Sequence, residues 1–146
     1  MQLQFPAYKF KTKTEQNTNY VFDIVRKKYV AFTPEEWVRQ HVLCYLTEDK
    51  KYPQSLIAVE RGLQMNGRKK RFDVLTFNNS GQPQLLIECK SPEIALTGLV
   101  FEQIAVYNSA FQAPLLWITN GLQHIYIQYT TDFLGYEFLD ELPKYC

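Results

Sequence analysis

The chain has 146 residues, enough for one domain with its own core, and its 46% hydrophobic and 21% charged residues exclude a disordered chain. A formal net charge of +1 confines any polyanion-binding surface to a local patch. No apolar run is long enough to span a membrane or serve as a secretory leader, and Cys44, Cys89 and Cys146 lack metal or redox spacing, which points to reduced thiols in the cytoplasm.

Residues 1–19 are polar and rich in Lys and Thr, and are expected to be loose, with at most a short strand. YVFDIVRKKYVAF (20–32) mixes β-branched and aromatic residues and reads as a strand or hairpin arm. In TPEEWVRQHVLCYL, Thr33 is an N-cap, Pro34 fits the first turn, and Glu36 completes a capping box. Trp37, Val38, Val42, Tyr45 and Leu46 then form an apolar stripe at helical spacing, ending near Asp49. Strands follow at 55–63 and 70–77, joined by Asn66-Gly67, and a third at 84–90 follows the turn residues NNSGQP. These three make an antiparallel meander. A helix over 95–111 has apolar positions at Leu99, Ile104, Val106 and Phe111, weakened at its start by Gly98. PLLWITNGLQHIYIQY (114–129) reads as strand, Asn-Gly turn, strand, and the acidic, aromatic tail carries no clear signal. The order helix, three strands, helix, two strands predicts an α/β domain with a central mixed sheet, because the second helix can return the chain in parallel.

One stretch carries chemistry. In LLIECKSP, Glu88 and Lys90 stand two apart at the end of an apolar strand, so they share a face with Cys89 opposite. If the hairpin closes at Phe77 and Gln84, Asp73 falls across from Glu88, where opposed Cα atoms lie roughly 4.5 to 5.5 Å apart. Two carboxylates that close repel unless a cation sits between them. Hard oxygen donors favour Mg²⁺, with Mn²⁺ able to substitute, and such a metal activates water and polarises a phosphoryl oxygen. Lys90 is placed to orient that water or offset developing charge. The plain alternative is a cross-strand ion-pair cluster, worth little on an exposed face. Arg68, Lys69, Lys70 and Arg71 form a basic cluster leading into Asp73, and RKK at 26–28 forms another; either suits DNA phosphates or a solvated turn. Glu60 on the neighbouring strand is a further candidate ligand or a partner for those bases.

RFDVL and LLIECK together resemble the split motif of the PD-(D/E)xK nuclease superfamily, with Asp73, Glu88 and Lys90 in its three places and Phe72 where the name has proline. The resemblance implies a helix glutamate ahead of the hairpin, supplied by Glu35 or, preferably, Glu36. It also implies a QxxxY motif, matched by Gln103 and Tyr107 in EQIAVY. More narrowly, residues 20–128 are similar to the N-terminal nuclease domain of the R subunit of type I restriction enzymes. That implies a restriction-endonuclease-like core and Mg²⁺-dependent cleavage of DNA, endonucleolytic before exonucleolytic. Glu36, Asp73 and Glu88 would be metal ligands, and Lys90, Gln103 and Tyr107 would complete the site. No phosphate-binding loop is present and nothing follows residue 146, so a standalone nuclease working without ATP is expected, as a homodimer or beside separate motor and specificity subunits. The rival expectations are a non-catalytic DNA-binding or assembly module with the same fold, and an enzyme acting on RNA or branched DNA.

Overall fold

Thr33 opens a helix where the sequence places one. The computed structural model describes residues 2–65 and 68–145, with backbone alone at 62–65 and 68–70. Helix α1 spans Pro34–Cys44, and the Thr33 hydroxyl oxygen accepts the Glu36 N–H at 3.0 Å. The reciprocal half of the capping box is missing, because the Glu36 carboxylate is bound by Arg26, Arg39 and Gln40 instead. The helix closes in a π-turn over Tyr45–Asp49, sealed by the Lys50 N–H on the Tyr45 carbonyl.

The segment expected to be loose is built into the structure. Strands β1 (Thr12–Glu15), β2 (Thr18–Asp23) and β3 (Lys28–Ala31) form an antiparallel sheet. Gln16 and Asn17 both take positive φ between β1 and β2, the backbone of a primed two-residue turn. Ahead of the sheet, Leu3 is buried and the Gln4 N–H bonds the Gly121 carbonyl at 2.7 Å. The Phe5 ring lies within 6.0 Å of the rings of His41, Tyr45, Trp117 and His124. Scattered single anchors of this kind hold a segment whose overall composition is polar.

The second sheet runs in the order β4 (Ile57–Met65), β5 (Arg68–Phe77), β6 (Pro83–Cys89), β7 (Leu115–Thr119), β8 (His124–Tyr129), β9 (Tyr136–Leu139). The first three form the expected meander, and α2 (Gly98–Phe111) crosses over so that β6 and β7 pair in parallel. The sheet is therefore mixed, as the sequence predicts. A third strand, β9, follows the predicted pair, and Leu142 beyond it is buried. The Asn66-Gly67 turn lies outside the described residues; Met65 and Arg68 pair on either side of it. Asn120-Gly121 does form a turn, but a four-residue one between Thr119 and His124, with the Asn120 side-chain Oδ1 accepting the N–H groups of Leu122 and Gln123. Gly121 has φ +86°, and a Cβ there would meet Leu3 at 2.9 Å.

The sheet is covered on both faces. Val38, Val42, Leu43 and Leu46 pack with Leu85, Ile87, Cys89 and Trp117 on the α1 side. Ile104 and Phe111 pack with Leu75, Leu86, Leu116 and Ile118 on the α2 side. The apolar stripe expected on α2 is only half right: Leu99 is 66% and Val106 72% exposed. The core face runs Ile104, Asn108, Phe111, and Asn108 fits there because its amide bonds both the N–H and the carbonyl of Ala113. Among the described residues no helix is long and apolar enough to cross a membrane.

Candidate active site

Strands β5 and β6 pair at Thr76↔Leu85, Leu75↔Leu86 and Val74↔Ile87, and there the ladder stops. The hairpin closes at Phe77↔Pro83 through an irregularity, not at Gln84, yet beyond it the register returns to the one predicted. The next position along carries Asp73 on one strand and Glu88 on the other. On the far side of β5, pairing with β4 skips Glu60, which sits at φ +47°. A left-handed backbone is costly for a non-glycine residue in a strand. It coincides with a break in the pleat: Phe72 packs on Phe111 toward α2, while Val74 faces α1. Asp73 stands at that break.

The bend gives Asp73 two directions to bond. Its Oδ2 accepts the Cys89 N–H at 2.9 Å and its Oδ1 accepts Arg39 Nη2 at 3.3 Å. Burial, then the Asp73 charge and a hydrogen bond to it, push the Glu88 carboxyl up to about 8, and the positive charge of Lys90 opposes this. Near neutral pH Glu88 therefore favours its protonated form.

Helix α1 supplies a braced wall of charge. Glu36 Oε1 accepts Arg26 Nη2 at 3.0 Å and Arg39 Nη1 at 2.7 Å, and its Oε2 accepts Gln40 Nε2 at 3.0 Å. Fully buried Asp23 accepts the backbone N–H of Arg26 at 2.6 Å, Arg26 Nε at 2.7 Å and Gln40 Nε2 at 3.0 Å. Burial alone would raise the Asp23 pKa, but those hydrogen bonds outweigh it and hold the pKa below the ordinary carboxylate value. Glu60 reaches the same arginines, 3.0 Å from Arg39 and 3.4 Å from Arg26. The Arg39 Nε is buried and has no hydrogen-bond partner among the described residues. Glu35 is the looser carboxylate, 49% exposed and 3.8 Å from Arg39, with its pKa raised by partial burial and by Asp73.

Helix α2 forms the opposite wall. Gln103 and Tyr107 line it, and the Tyr107 ring rests on Phe111 at 5.3 Å. Burial and the charges of Glu88 and Asp73 push the Tyr107 hydroxyl up to about 12. The two walls and the strand ends enclose an open cleft of about 730 Å³.

A family model described as "Type I restriction enzyme R protein N terminus (HSDR_N)" matches residues 34–143. The chain belongs to that family. The R-protein match begins at α1, later than the resemblance read from the sequence, and runs through β9. A solved structure assigned as an HsdR subunit fragment of a type I restriction enzyme, from Vibrio vulnificus YJ016, superposes with a TM-score of 0.57 at 20% identity. The alignment covers 77% of this chain and 24% of that one. This R-protein domain therefore has the restriction-endonuclease-like α/β fold. No curated protein matches the chain.

The fold brings Glu36, Asp73, Glu88, Lys90, Gln103 and Tyr107 to one cleft of this R-protein domain, with Glu60 and Arg71 also on its wall. The side chains of Arg68, Lys69 and Lys70 lie outside the described residues. Among the described residues no three of His, Cys, Asp and Glu converge as a ready-made ligand set. Asp73 and Glu88 offer two oxygen donors, and of the two helix glutamates Glu36 already has both oxygens engaged. The residues that sequence reasoning missed are Arg39, Gln40 and Asp23. Their one signal was spacing, since Arg39 and Gln40 stand three and four residues beyond Glu36. The RKK cluster is split by the fold: Arg26 turns inward, Lys27 bonds Gln54 Oε1 at 3.2 Å, and Lys28 is exposed.

Proposed function

We propose that this R-protein N-terminal domain is a divalent-metal-dependent nuclease that hydrolyses DNA phosphodiesters, endonucleolytically and without ATP. The observation that carries the reading is that Asp73 and Glu88 stand side by side where the β5–β6 ladder ends, with Lys90 on the same open cleft. Nothing in folding calls for a half-buried carboxyl pair at a strand end, and a hard cation suits it because metal binding displaces the Glu88 proton. Mg²⁺, or Mn²⁺ in its place, would be held by Asp73 and Glu88, and when bound it supplies an activated water and a polarised phosphoryl oxygen. Glu35 is the better third candidate, because the oxygens of Glu36 are engaged by Arg26, Arg39 and Gln40. Lys90 then offsets the charge that develops on the phosphoryl group. Gln103 and Tyr107 position the phosphate from the α2 wall, and Arg71 with Arg68, Lys69 and Lys70 guide the backbone in. The family suggests work in restriction beside DNA-recognition and motor functions, in the cytoplasm, as a monomer or a homodimer.

One observation favours a second reading, a DNA-binding or assembly module that does not cleave: Arg39 already neutralises Asp73 at 3.3 Å without any metal. A cleavage assay on supercoiled, linear, branched and single-stranded DNA, and on RNA, with and without Mg²⁺, decides between them. Metal-dependent nicking of DNA abolished by Asp73→Asn is the expected result. Intact DNA under every condition, at concentrations where binding is complete, would leave the non-catalytic module.

A further inference from the structure

The small N-terminal sheet precedes the family match and does no work in the site beyond Asp23 and Arg26. Its inner face is accounted for: Val21 and Asp23 are fully buried against the domain. Strand alternation then turns Tyr20 and Phe22 outward. Tyr29 pairs with Phe22, and Ala31 with Tyr20, so they share that outer face. Lysines lie across it. The Lys11 ammonium is 5.1 Å from the Phe22 ring centre and 5.9 Å from that of Tyr29. The Lys13 ammonium is 4.3 Å from Tyr29 and 5.8 Å from Tyr20.

Charge is segregated to this end of the chain. Residues 1–33 contain six basic and two acidic residues, and the remaining 113 contain ten and thirteen. A chain of net charge +1 thus joins a segment of formal charge +4 to a domain of −3. The face also leads to the cleft, since Ala31 and Thr33 line its rim beside Glu35.

We infer that the outer face of the β1–β3 sheet is a binding surface for the phosphate backbone of DNA, laid beside the candidate active site. The inference rests on the nuclease reading for the identity of its ligand. Lys11, immediately ahead of β1, and Lys13 within it stand two residues apart on extended chain, about 7 Å. Two lysines so spaced can each meet a phosphate of one DNA backbone. The aromatic rings, joined for Lys13 by an exposed ion pair to Glu15 at 2.9 Å that a phosphate would displace, hold both ammonium groups in place before DNA arrives, which reduces the ordering needed on binding. The rings lie beneath the lysines, so the surface suits phosphates better than stacked bases.

The test is DNA affinity measured against salt, by fluorescence anisotropy of a labelled duplex on the whole chain in EDTA. Lys11→Glu with Lys13→Glu should weaken binding on the order of 10-fold at low salt and flatten the log–log salt slope by about two units. Lys144→Glu, an exposed lysine off this face, should leave the slope unchanged. Lys11→Gln with Lys13→Gln avoids placing a third carboxylate beside Glu15 and should still lose most of the slope difference. Tyr29→Leu should cost roughly 2- to 5-fold in affinity with the slope preserved, the size of an exposed cation–aromatic contact. Mn²⁺-induced thermal stabilisation, which reports the Asp73–Glu88 site alone, should match wild type in all of them. Wild-type affinity and slope in both lysine pairs would overturn the inference, as would loss of binding to anionic vesicles with DNA binding intact. A wild-type protein that cleaves nothing but shows the slope change would sink the nuclease reading and leave the surface standing.

Discussion

The two walls of the cleft are built on different principles. On the α1 wall Asp23, Arg26, Glu36, Arg39, Gln40 and Glu60 form one connected set of charged hydrogen bonds. On the α2 wall the helix is seated by Ile104, Phe111 and the self-contained Asn108 contact, and leaves Leu99 and Val106 in solvent. A braced wall fixes the carboxylates against their mutual repulsion; an apolar seat lets the facing side chains adjust to a substrate. Local rigidity in this domain thus follows from buried charge on one side and its absence on the other.

The largest effect should come from cutting the brace. Arg39→Leu strands Glu36 and Asp73 with less counter-charge, and removing one partner of a buried ionic set costs about 3–5 kcal/mol. Urea denaturation should show that loss, and Arg39→Lys should recover only part of it, because an ammonium cannot span Glu36, Glu60 and Asp73 together. A variant as stable as wild type would mean that the wall is not braced by these contacts.

Lys90 comes next, and separates chemistry from binding. Lys90→Ala should slow single-turnover cleavage on the order of 10²-fold, with DNA affinity changed little.

The third effect is a pH dependence with a defined sign. Glu88 has a folded pKa of about 8, raised above its ordinary value. Its contribution to stability is therefore fully present below the unfolded pKa of about 4.3, and is lost as pH rises through about 8. The metal-free protein should lose melting temperature across that window, Glu88→Gln should flatten the curve, and Mn²⁺ should stabilise more at the alkaline end than at pH 6. Equal metal stabilisation at both ends would show that the cation does not replace the Glu88 proton.

The smallest effect belongs to the α2 wall. Gln103→Ala should lower cleavage by roughly 10-fold through loss of positioning, with the melting temperature unmoved, since no side-chain hydrogen bond ties Gln103 to the fold among the described residues.

How far the site was legible in the sequence depends on the physics behind each residue. Asp73 and Glu88 were aligned by counting back from a turn. The count survived a misplaced closure because the irregularity at Phe77 absorbed a single residue before the ladder resumed. Thr33 and Pro34 announced α1 through local chemistry that needs no tertiary context. Arg39 could not be read that way. An arginine on a helix is solvent-facing by default, and only the convergence of Glu36, Glu60 and Asp73 from three elements makes burial tolerable. Strand β9 was missed, and β1 was read as at most a short strand in a loose segment, for a related reason. Their inward residues are few, and their outer faces carry lysines or exposed aromatics such as Phe138, so hydrophobic density gives no warning.

Cys89 turns this architecture into a clock. Its thiol is fully buried between Glu88 and Lys90, burial raises its pKa, and its own N–H is bonded to Asp73. An alkylating reagent can reach the sulfur only when the core that α1 packs onto β6 opens, so the labelling rate measures how often the floor beneath the carboxylate pair comes apart in the native protein. With Cys44 and Cys146 replaced by Ala, Mn²⁺ titrated against that rate would read occupancy of the pair as protection.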